Sequence, residues 1–528
     1  MNDLAGTGAL TRLALRLDRI RLPLWVLVIG VMPAGTASNY KTLYPTAESL
    51  KVVEGVIDSP ALVAMSGPLF RVSLGGLTVW KVGITSFVLA ALMSVFTVIR
   101  HTRADEENGR LELVGAAVVG RRAPLTAALI TMAMANAGIV VVTALGLIGV
   151  GMSAVGSFAF GAAIGLTGLT FGAVAAVCAQ LTAAARVATG TAAAALAAVY
   201  LLRAAGDTGP TWLSWISPIG WALRIRPYAR EQWWVLALFA GLVIGLLAVA
   251  YALLARRDVG TGLLAERAAP TSAGPTLGSA LGLAWRLQRG VLLGWAVAMA
   301  IAGASMGSVV KSLSLNTADL SQQMIELLTR MGGQKALTDQ FLAAVCGIAG
   351  LVAAAYTVQS TLRLRVEENE GHVEPLLATR VGRLRWAGGH LVFGFVGTGV
   401  LLAVFGAALG LVYGAQTHDI GGQLPRLTGA ALVQLPAAWV LAGVGIFLFG
   451  VSARLAALTW GALIVCVVLV EVGELFGLDQ AVVDVTPFAH VPKLPGSALT
   501  GPPLVWLTAI AALLAVAGLA CFRRRDVG

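Results

Sequence analysis

Long apolar segments recur along this chain, and short stretches rich in charge separate them. Segments 22–40, 82–99, 290–310 and 341–362 contain no charged residue. Each of them reaches or approaches the roughly 20 residues that a helix needs to cross a bilayer. In lipid, backbone polar groups must be satisfied within the segment itself, so these runs predict helices. The pattern predicts twelve transmembrane helices, at about 22–40, 78–99, 123–152, 158–185, 187–203, 233–255, 290–310, 341–362, 386–414, 427–452, 455–474 and 501–522.

The overall composition supports a membrane protein. The chain has 528 residues, of which 58% are hydrophobic and 12% are charged, and its mean hydropathy is +0.84. Soluble domains usually carry about 25% charged residues. So few charges could not cover the surface of a water-soluble protein of this size. The fold class that follows is an all-α polytopic membrane protein.

The charge distribution indicates an orientation. The net charge is +11, and most basic residues fall in the loops that are cytoplasmic when both termini are placed in the cytoplasm. We therefore attribute the basic excess to topology and contact with membrane lipid, and we expect no nucleic-acid partner. Arginine is far commoner than lysine, and alanine and glycine are abundant, as is typical of high-GC bacteria. We expect a multi-pass protein of the bacterial plasma membrane.

Five short sequence motifs occur twice and in the same order, which indicates an internal duplication. The pairs are LALRLDR (13–19) with LAWRLQR (283–289), RADEENGRLE (103–112) with RVEENEGHVE (365–374), VVGR (118–121) with RVGR (380–383), ARVA (185–188) with ARLA (453–456), and RRDVG (256–260) with RRDVG (524–528).

The duplication predicts two tandem halves, 1–265 and 279–528, joined by the linker 266–278. That linker is rich in Pro, Gly, Ser and Thr, as flexible connectors are. Each half holds six predicted spans, so both halves have the same orientation in the membrane. A pair of parallel repeats is a design found in transporters.

The most strongly charged segment of each half follows its second span. Asp105, Gly109 and Glu112 have the spacing of one helix face, and Glu367, Gly371 and Glu374 repeat it. A solvated helix that only caps a span would explain the charge. A short helix displayed twice, however, suits docking to two copies of a cytosolic partner. The candidate partner-binding residues are Asp105, Glu106, Glu107, Gly109, Glu112, Glu367, Glu368, Glu370, Gly371 and Glu374.

The segment EENEGHVEPLLATRVGR (367–383) resembles the motif after the second span in type 2 ABC exporter permeases. The first copy departs from that motif, because 113–119 lacks the Leu-Leu-Ala-Thr run. Ser217-Pro218 and Thr486-Pro487 resemble an outer Ser-Pro element of the same family. The fused twelve-span form resembles the tetronasin-type antibiotic exporter permeases over essentially the whole chain.

This resemblance implies type 2 ABC exporter topology, with the charged segments as coupling helices that enter a cleft of the ATPase subunit. It also implies two copies of a cytosolic ABC ATPase that carry ATP and Mg, and a hydrophobic drug or antibiotic as the exported substrate. The chain itself has no G-x-x-x-x-G-K-[ST] phosphate loop. We therefore expect no ATPase site, cofactor, metal or catalytic constellation in this chain.

Several readings remain open at this point. A proton-coupled drug transporter of twelve spans would need protonatable groups at mid-depth, and we expect His390 to be a packed or interfacial residue and Glu471 and Glu474 to face water. An ABC exporter of a lipid or hydrophobic metabolite, or a membrane-embedded enzyme, are further alternatives. Arg203, Arg224, Arg226 and Arg230 lie by a Trp-rich stretch that resembles an interfacial loop or short re-entrant helix. The sequence identifies no substrate-binding residue.

Overall fold

The computed structural model of the chain describes residues 3–44, 60–110, 119–258, 262–263, 275–315, 333–472 and 480–525. Within these ranges the regular structure is helical, which confirms the all-α fold expected from the apolar runs. The chain divides into two compact units, Met1–Ala269 and Pro270–Gly528. The exact halves and the linker 266–278 inferred from the repeats remain a prediction.

Six long apolar helices form the body of the first unit, with shorter helices at their ends. A cluster of buried side chains, including Phe87, Ile139 and Phe160, fills the space between α4, α5 and α6. The helices are α1 (Thr7–Leu17), α2 (Arg21–Leu43), α3 (Pro60–Ser66), α4 (Leu74–Ile99), α5 (Ala123–Gly149), α6 (Ala154–Leu181), α7 (Ala185–Thr208), α8 (Thr211–Ile216), α9 (Pro218–Arg224) and α10 (Val235–Arg256).

Glycines allow α5 and α6 to approach each other closely. A β-carbon added at Gly161 would lie 2.8 Å from the carbonyl oxygen of Val140, and one added at Gly165 would lie 2.6 Å from the Val140 side chain. Small residues at such contacts are typical of helix packing in membranes, where close van der Waals contact drives association.

The second unit has a comparable set of helices and two clusters of buried side chains. In this unit α11 packs extensively against α15, and Gly303 of α11 lies against the backbone of Phe405. The helices are α11 (Ala280–Leu315), α12 (Gly333–Thr361), α13 (Arg363–Asn369), α14 (Val373–Leu377), α15 (Arg383–Thr417), α16 (Ile420–Leu432), α17 (Leu435–Val451), α18 (Leu458–Val472), α19 (Gln480–Val483) and α20 (Gly501–Arg524).

The described residues include eleven helices that are long and apolar enough to cross a membrane. They coincide with eleven of the twelve predicted spans. The remaining predicted span, 455–474, corresponds to a shorter apolar helix at Leu455–Val470. A multi-pass membrane protein is therefore confirmed.

Candidate functional site

The charged segment of the first unit begins as a continuation of α4. The helix passes through a π-helical turn, Arg100–Ala104, and a last helical turn, Asp105–Glu107. Gly109 then adopts a left-handed backbone with φ of 69°, and its N–H donates to the carbonyl of Glu106 at 3.0 Å. Glycine takes this conformation without the steric cost of a side chain, so it ends the helix here.

The second unit repeats this ending. Gly371 follows α13 with φ of 71°, and its N–H donates to the carbonyl of Glu368 at 3.0 Å. The chain then enters α14 at Val373. We refer to residues 105–109 as the first acidic turn and to residues 367–371 as the second acidic turn.

The prediction that each acid–Gly–acid set occupies one face of a helix is wrong. The left-handed glycine interrupts the helix in both copies, so Glu367 belongs to α13 and Glu374 to α14. In the first copy the helix ends at Glu107, before Gly109. Glu112 lies outside the described residues. Each element is thus a helix end followed by a glycine turn, and the role of its residues in partner binding remains a prediction.

The candidate residues divide by exposure. The side chains of Glu106, Glu367 and Glu368 are 4%, 6% and 12% exposed, respectively, and that of Asp105 is 23% exposed. The outward-facing members of the set are Glu107, Glu370, Gly371 and Glu374. Only the exposed members therefore present a surface to another molecule.

Glu106 connects the first acidic turn to the end of α10. Its carboxylate accepts hydrogen bonds from both terminal nitrogens of Arg257, at 2.9 and 2.7 Å. Arg121 donates to the backbone carbonyl of Arg257 at 2.5 Å. We call Glu106, Arg121 and Arg257 the first clasp. Arg103, 1% exposed, also donates to Glu106 at 2.8 Å, so this buried carboxylate contacts two guanidinium groups.

Glu368 makes the corresponding connection in the second unit, to the end of α20. Its two carboxylate oxygens accept from one terminal nitrogen of Arg525, at 2.6 and 2.5 Å. Arg383 donates to the backbone carbonyl of Arg525 at 2.7 Å. We call Glu368, Arg383 and Arg525 the second clasp.

The two clasps occupy corresponding positions of the sequence repeats. Glu106 and Glu368 are each fourth in their ten-residue motif, Arg121 and Arg383 each end a VGR motif, and Arg257 and Arg525 are each second in RRDVG. Three of the repeated motifs thus meet in space in each unit. The motifs are evident in the sequence, but the repeat pattern does not predict that they contact one another.

Exposed Glu107 has a separate contact with the start of α7. Its carboxylate accepts from the backbone N–H of Ala185 at 2.9 Å. The first N–H groups of a helix have no partner within the helix, and a carboxylate there also favours the positive end of the helix dipole. The first acidic turn is therefore attached to α7 as well as to α10.

A buried polar pair joins the N-terminal helix of each unit to its second long helix. In the first unit Asp18, 2% exposed, contacts Nε2 of His101 at 2.6 Å and lies 3.5 Å from Nε of Arg100. In the second unit Gln288 at the corresponding position contacts Ser360 and His390. His390 is thus a packed residue, as expected, but its partner Gln288 was not foreseen.

The Trp-rich stretch of the first unit forms the two short helices α8 and α9. Next to it, Arg203 and Asp207 of α7 are both fully buried and lie 3.3 Å apart. Ser214 donates to Asp207 at 2.8 Å, and Arg224 donates to the Ser214 hydroxyl at 2.6 Å. Burial lowers the pKa of Arg224, and the charge of Asp207 opposes that shift. Sequence reasoning identified the arginines and missed Asp207, on which the network centres.

Within the described ranges, no group of three or more His, Cys, Asp or Glu residues has the arrangement of a metal site. A cavity with a volume of about 580 Å³ lies in the second unit. Gly347 and Ile348 of α12, Gln434, and Phe488 and Lys493 are among its lining residues.

Comparison with known proteins places the chain in a family. Residues 277–523 match the family described as "Multidrug efflux system permease Rv1217c, C-terminal domain". The chain is 44% identical over 525 residues to the "Multidrug efflux system permease protein Rv1217c" of Mycobacterium tuberculosis (strain ATCC 25618 / H37Rv), an alignment that covers 99% of this chain and 95% of that protein. The chain therefore belongs to the family of the multidrug efflux system permease Rv1217c.

Proposed function

We propose that this chain is the membrane subunit of an ATP-driven exporter that moves hydrophobic drugs out of the cell. Two copies of a cytosolic ABC ATPase would bind it, and these subunits would carry ATP and Mg. We place the exporter in the bacterial plasma membrane with both termini in the cytoplasm. The observation that carries the proposal is the pair of acidic turns, which have the same backbone geometry in both units.

The acidic turns suit a docking role because of their shape. At Gly109 and at Gly371 an added β-carbon would meet no atom within 4 Å, so the tip of each turn is open. Glu370 and Glu374 flank the second tip and face outward. The buried carboxylates behind the tips fix each turn to its unit, so a partner bound at the tip would push or pull on a firmly attached element.

The buried carboxylates argue against a proton-coupled carrier. Asp18, Glu106, Asp207 and Glu367 each lie within 4 Å of a basic side chain. Each also lies at or near the end of a long helix. A proton relay needs a group that exchanges protons near mid-depth, and the helix-end positions of these four carboxylates do not meet that requirement.

The test replaces both turn glycines by tryptophan. Because both tips are open, the indole rings would project into the space where the partner is expected to dock. A non-glycine residue in the left-handed conformation costs about 1–2 kcal/mol, so the Gly109→Asn and Gly371→Asn double variant is the matched control. Asparagine tolerates this backbone and adds little bulk.

We expect the tryptophan double variant to fold and to lose both co-purification of the ATPase and drug-stimulated ATP hydrolysis. The asparagine variant should keep both. Normal drug-stimulated ATPase activity in the tryptophan variant would sink the proposal. Purification of the wild-type chain without an ATPase subunit, combined with transport driven by a proton gradient, would favour the secondary carrier.

A further inference from the structure

The clasps connect each acidic turn to the last long helix of the same unit. We propose that Glu106 and Glu368 are positioning residues, through which a displaced acidic turn moves the cytoplasmic ends of α10 and α20. They are therefore not contacts for the ATPase, although both belong to the acidic motif. This inference rests on the proposed function, because it assumes that a partner displaces the turns.

The bonding geometry of each clasp is suited to transfer a movement of the acidic turn to the last long helix of its unit. Charge-assisted hydrogen bonds between a carboxylate and a guanidinium are stronger than neutral ones, and the planar guanidinium fixes their geometry. Arg257 is held further by the side chain of Gln180, whose Oε1 accepts from Nε at 2.7 Å. Arg525 lies over the rings of Phe449 and Phe522, at 4.9 and 5.5 Å. Neither arginine can rotate freely without losing several contacts.

Few residues of the two helices that the clasps hold are buried within the protein, although α20 packs closely on α17, where Gly518 lies against the backbone of Ile446. Only 17% of the apolar stretch of α10 is buried within the protein, and the value for α20 is the same. By contrast, 72% of the apolar stretch that contains α4 is buried. At the C-terminal end of α10, Arg257 binds the carboxylate of Glu106. A displacement of the first acidic turn would therefore pull on this end of the helix.

The presence of a clasp in both units indicates that the clasps are more than local surface contacts. The clasp residues are 151 positions apart in the first unit and 157 in the second, yet both units form the same carboxylate–arginine pair. Other buried contacts differ between the units, since the Asp18–His101 pair, which includes a carboxylate, is replaced by the Gln288–Ser360 pair, which has none. The clasps retain the same chemistry where their surroundings have changed.

The test compares transport with ATP hydrolysis in the complete exporter. The variants are Glu106→Gln with Glu368→Gln, and separately Arg257→Lys with Arg525→Lys. The lysine variants keep the charge but lose the guanidinium group, which at Arg257 contacts Glu106 through both terminal nitrogens. Asp3→Asn is the control, because the Asp3–Arg122 pair is also at a unit surface but is 58% and 50% exposed. The measurements are co-purified ATPase, ATP turnover, and ethidium transported per ATP in inverted vesicles.

We expect both clasp variants to bind the ATPase at the wild-type level and to hydrolyse ATP, with ethidium transported per ATP reduced at least tenfold. Loss of ATPase binding in the glutamine variant would show that the glutamates are partner contacts and would overturn the inference. Unchanged transport per ATP would reduce the clasps to static supports. A wild-type chain that binds no ATPase would instead refute the proposed function, so the two failures are distinguishable.

A separate observation points to a ligand site in the second unit. The span Ile420–Val451 is interrupted near its middle, where α16 ends at Leu432 and α17 begins at Leu435. Pro436 has no N–H and so cannot continue the helical hydrogen-bond pattern. The corresponding helix of the first unit, α6, is continuous. Interrupted helices at membrane depth occur where they line a cavity, and transporters place substrate sites there.

Such a cavity is present at this interruption. Gln434, 5% exposed, lies at the break and lines the cavity of about 580 Å³. This volume is in the range of about 300–1,000 Å³ that is typical of small-molecule sites, which combine apolar walls with a few polar groups. Ile348, Phe488 and Val491 supply apolar surface. We infer that the cavity binds an uncharged amphipathic drug, with the Gln434 amide as a polar contact, because Lys493 also lines the cavity and disfavours a cationic ligand.

Glycines provide a matched test of this site. Gly347 lines the cavity, and an added β-carbon would meet no atom within 4 Å, so Gly347→Phe would fill the cavity without a clash at its base. Gly461→Phe is the control, because Gly461 has equally open surroundings on α18 and lies outside the lining. Efflux of the uncharged drug chloramphenicol from cells that express the exporter is the measurement, and efflux of the cation ethidium is followed for comparison.

We expect Gly347→Phe to reduce efflux at least tenfold and Gly461→Phe to leave it unchanged, with ATPase binding intact in both. Gln434→Leu should raise the KM for chloramphenicol, which has hydroxyl and amide groups, more than that for ethidium. Wild-type efflux by Gly347→Phe would exclude the cavity as the site. Equal loss in both glycine variants would indicate a general packing effect and would also overturn it.

Discussion

Asp207 offers a direct test of how the buried ion pair holds the first unit together. Asp207 and Arg203 are both fully buried, and Asp207 also accepts from the hydroxyl of Ser214. Replacing Asp207 by Ala removes the carboxylate and leaves the buried guanidinium without its charged partner. Breaking a buried pair in this way typically costs about 3–5 kcal/mol.

The substitution Asp207→Asn should cost less, about 1–3 kcal/mol, because an amide oxygen still accepts from Ser214. Arg203 also keeps its hydrogen bonds to the carbonyls of Ala64 and Met65, at 2.7 and 3.3 Å. We therefore expect the order of stability to be wild type, then Asn, then Ala.

The assay is denaturant unfolding of the purified chain in mixed micelles, followed by tryptophan fluorescence. Trp212, Trp215 and Trp221 lie on α8 and α9, beside the ion pair, and report on this region. The exposed pair Asp3–Arg122 supplies the control, since Asp3→Asn should change the free energy of unfolding by no more than about 1 kcal/mol. If Asp207→Ala stays within about 1 kcal/mol of wild type, the pair does not stabilise the unit and the reasoning from burial fails.

Three further predictions concern packing, titration and backbone geometry. Gly156→Ala should destabilise the first unit by about 1–3 kcal/mol, because the added β-carbon would lie 2.2 Å from the ring of Tyr228; the same unfolding assay measures this. Burial raises the pKa of Tyr228 to about 12, above the value of about 10 for an unfolded tyrosine. The contribution of Tyr228 to the free energy of unfolding should therefore be constant below pH 10 and fall between pH 10 and 12, as the unfolded chain releases this proton. The substitution Tyr228→Phe should reduce that fall. Gly371→Ala should cost about 1–2 kcal/mol through its positive φ, and Gly371→Asn should cost less; a result in which both match wild type would contradict the left-handed assignment.

The apolar runs predicted the spans well because the rule behind them is local. The first span was placed at 22–40 and the helix extends from Arg21 to Leu43. Lipid excludes polar backbone groups from this depth, so length and hydropathy alone identify such helices. The predicted span 455–474 corresponds only to the shorter apolar helix Leu455–Val470.

The acidic turns show where a local rule was available but was not applied. Spacing alone suggested one continuous helix through Gly109 and Gly371. A glycine directly after a polar helix end is, however, a common stop signal. The structure follows that signal in both units, and the helix face inferred from spacing is wrong.

The burial of Glu106 and Glu368 could not be predicted from any local pattern. Both lie among other acidic residues, as a solvated segment would, and their partners Arg257 and Arg525 are more than a hundred positions away in the chain. The repeats did record every member of both clasps. They could not show that the motifs contact one another, because a repeat preserves positions and carries no information on distance. Asp207 had no repeat to mark it.

Few residues of α10 and α20 are buried within the protein, so the surrounding bilayer can act directly on these helices. The 22 residues of α10 extend about 33 Å as a helix, close to the hydrocarbon thickness of about 30 Å. Helices adapt to a thinner bilayer by tilting, and only 17% of the apolar stretch of α10 is buried within the protein. Its C-terminal end is joined to the first acidic turn through Arg257. Lipid chain length would then act on the first acidic turn through α10.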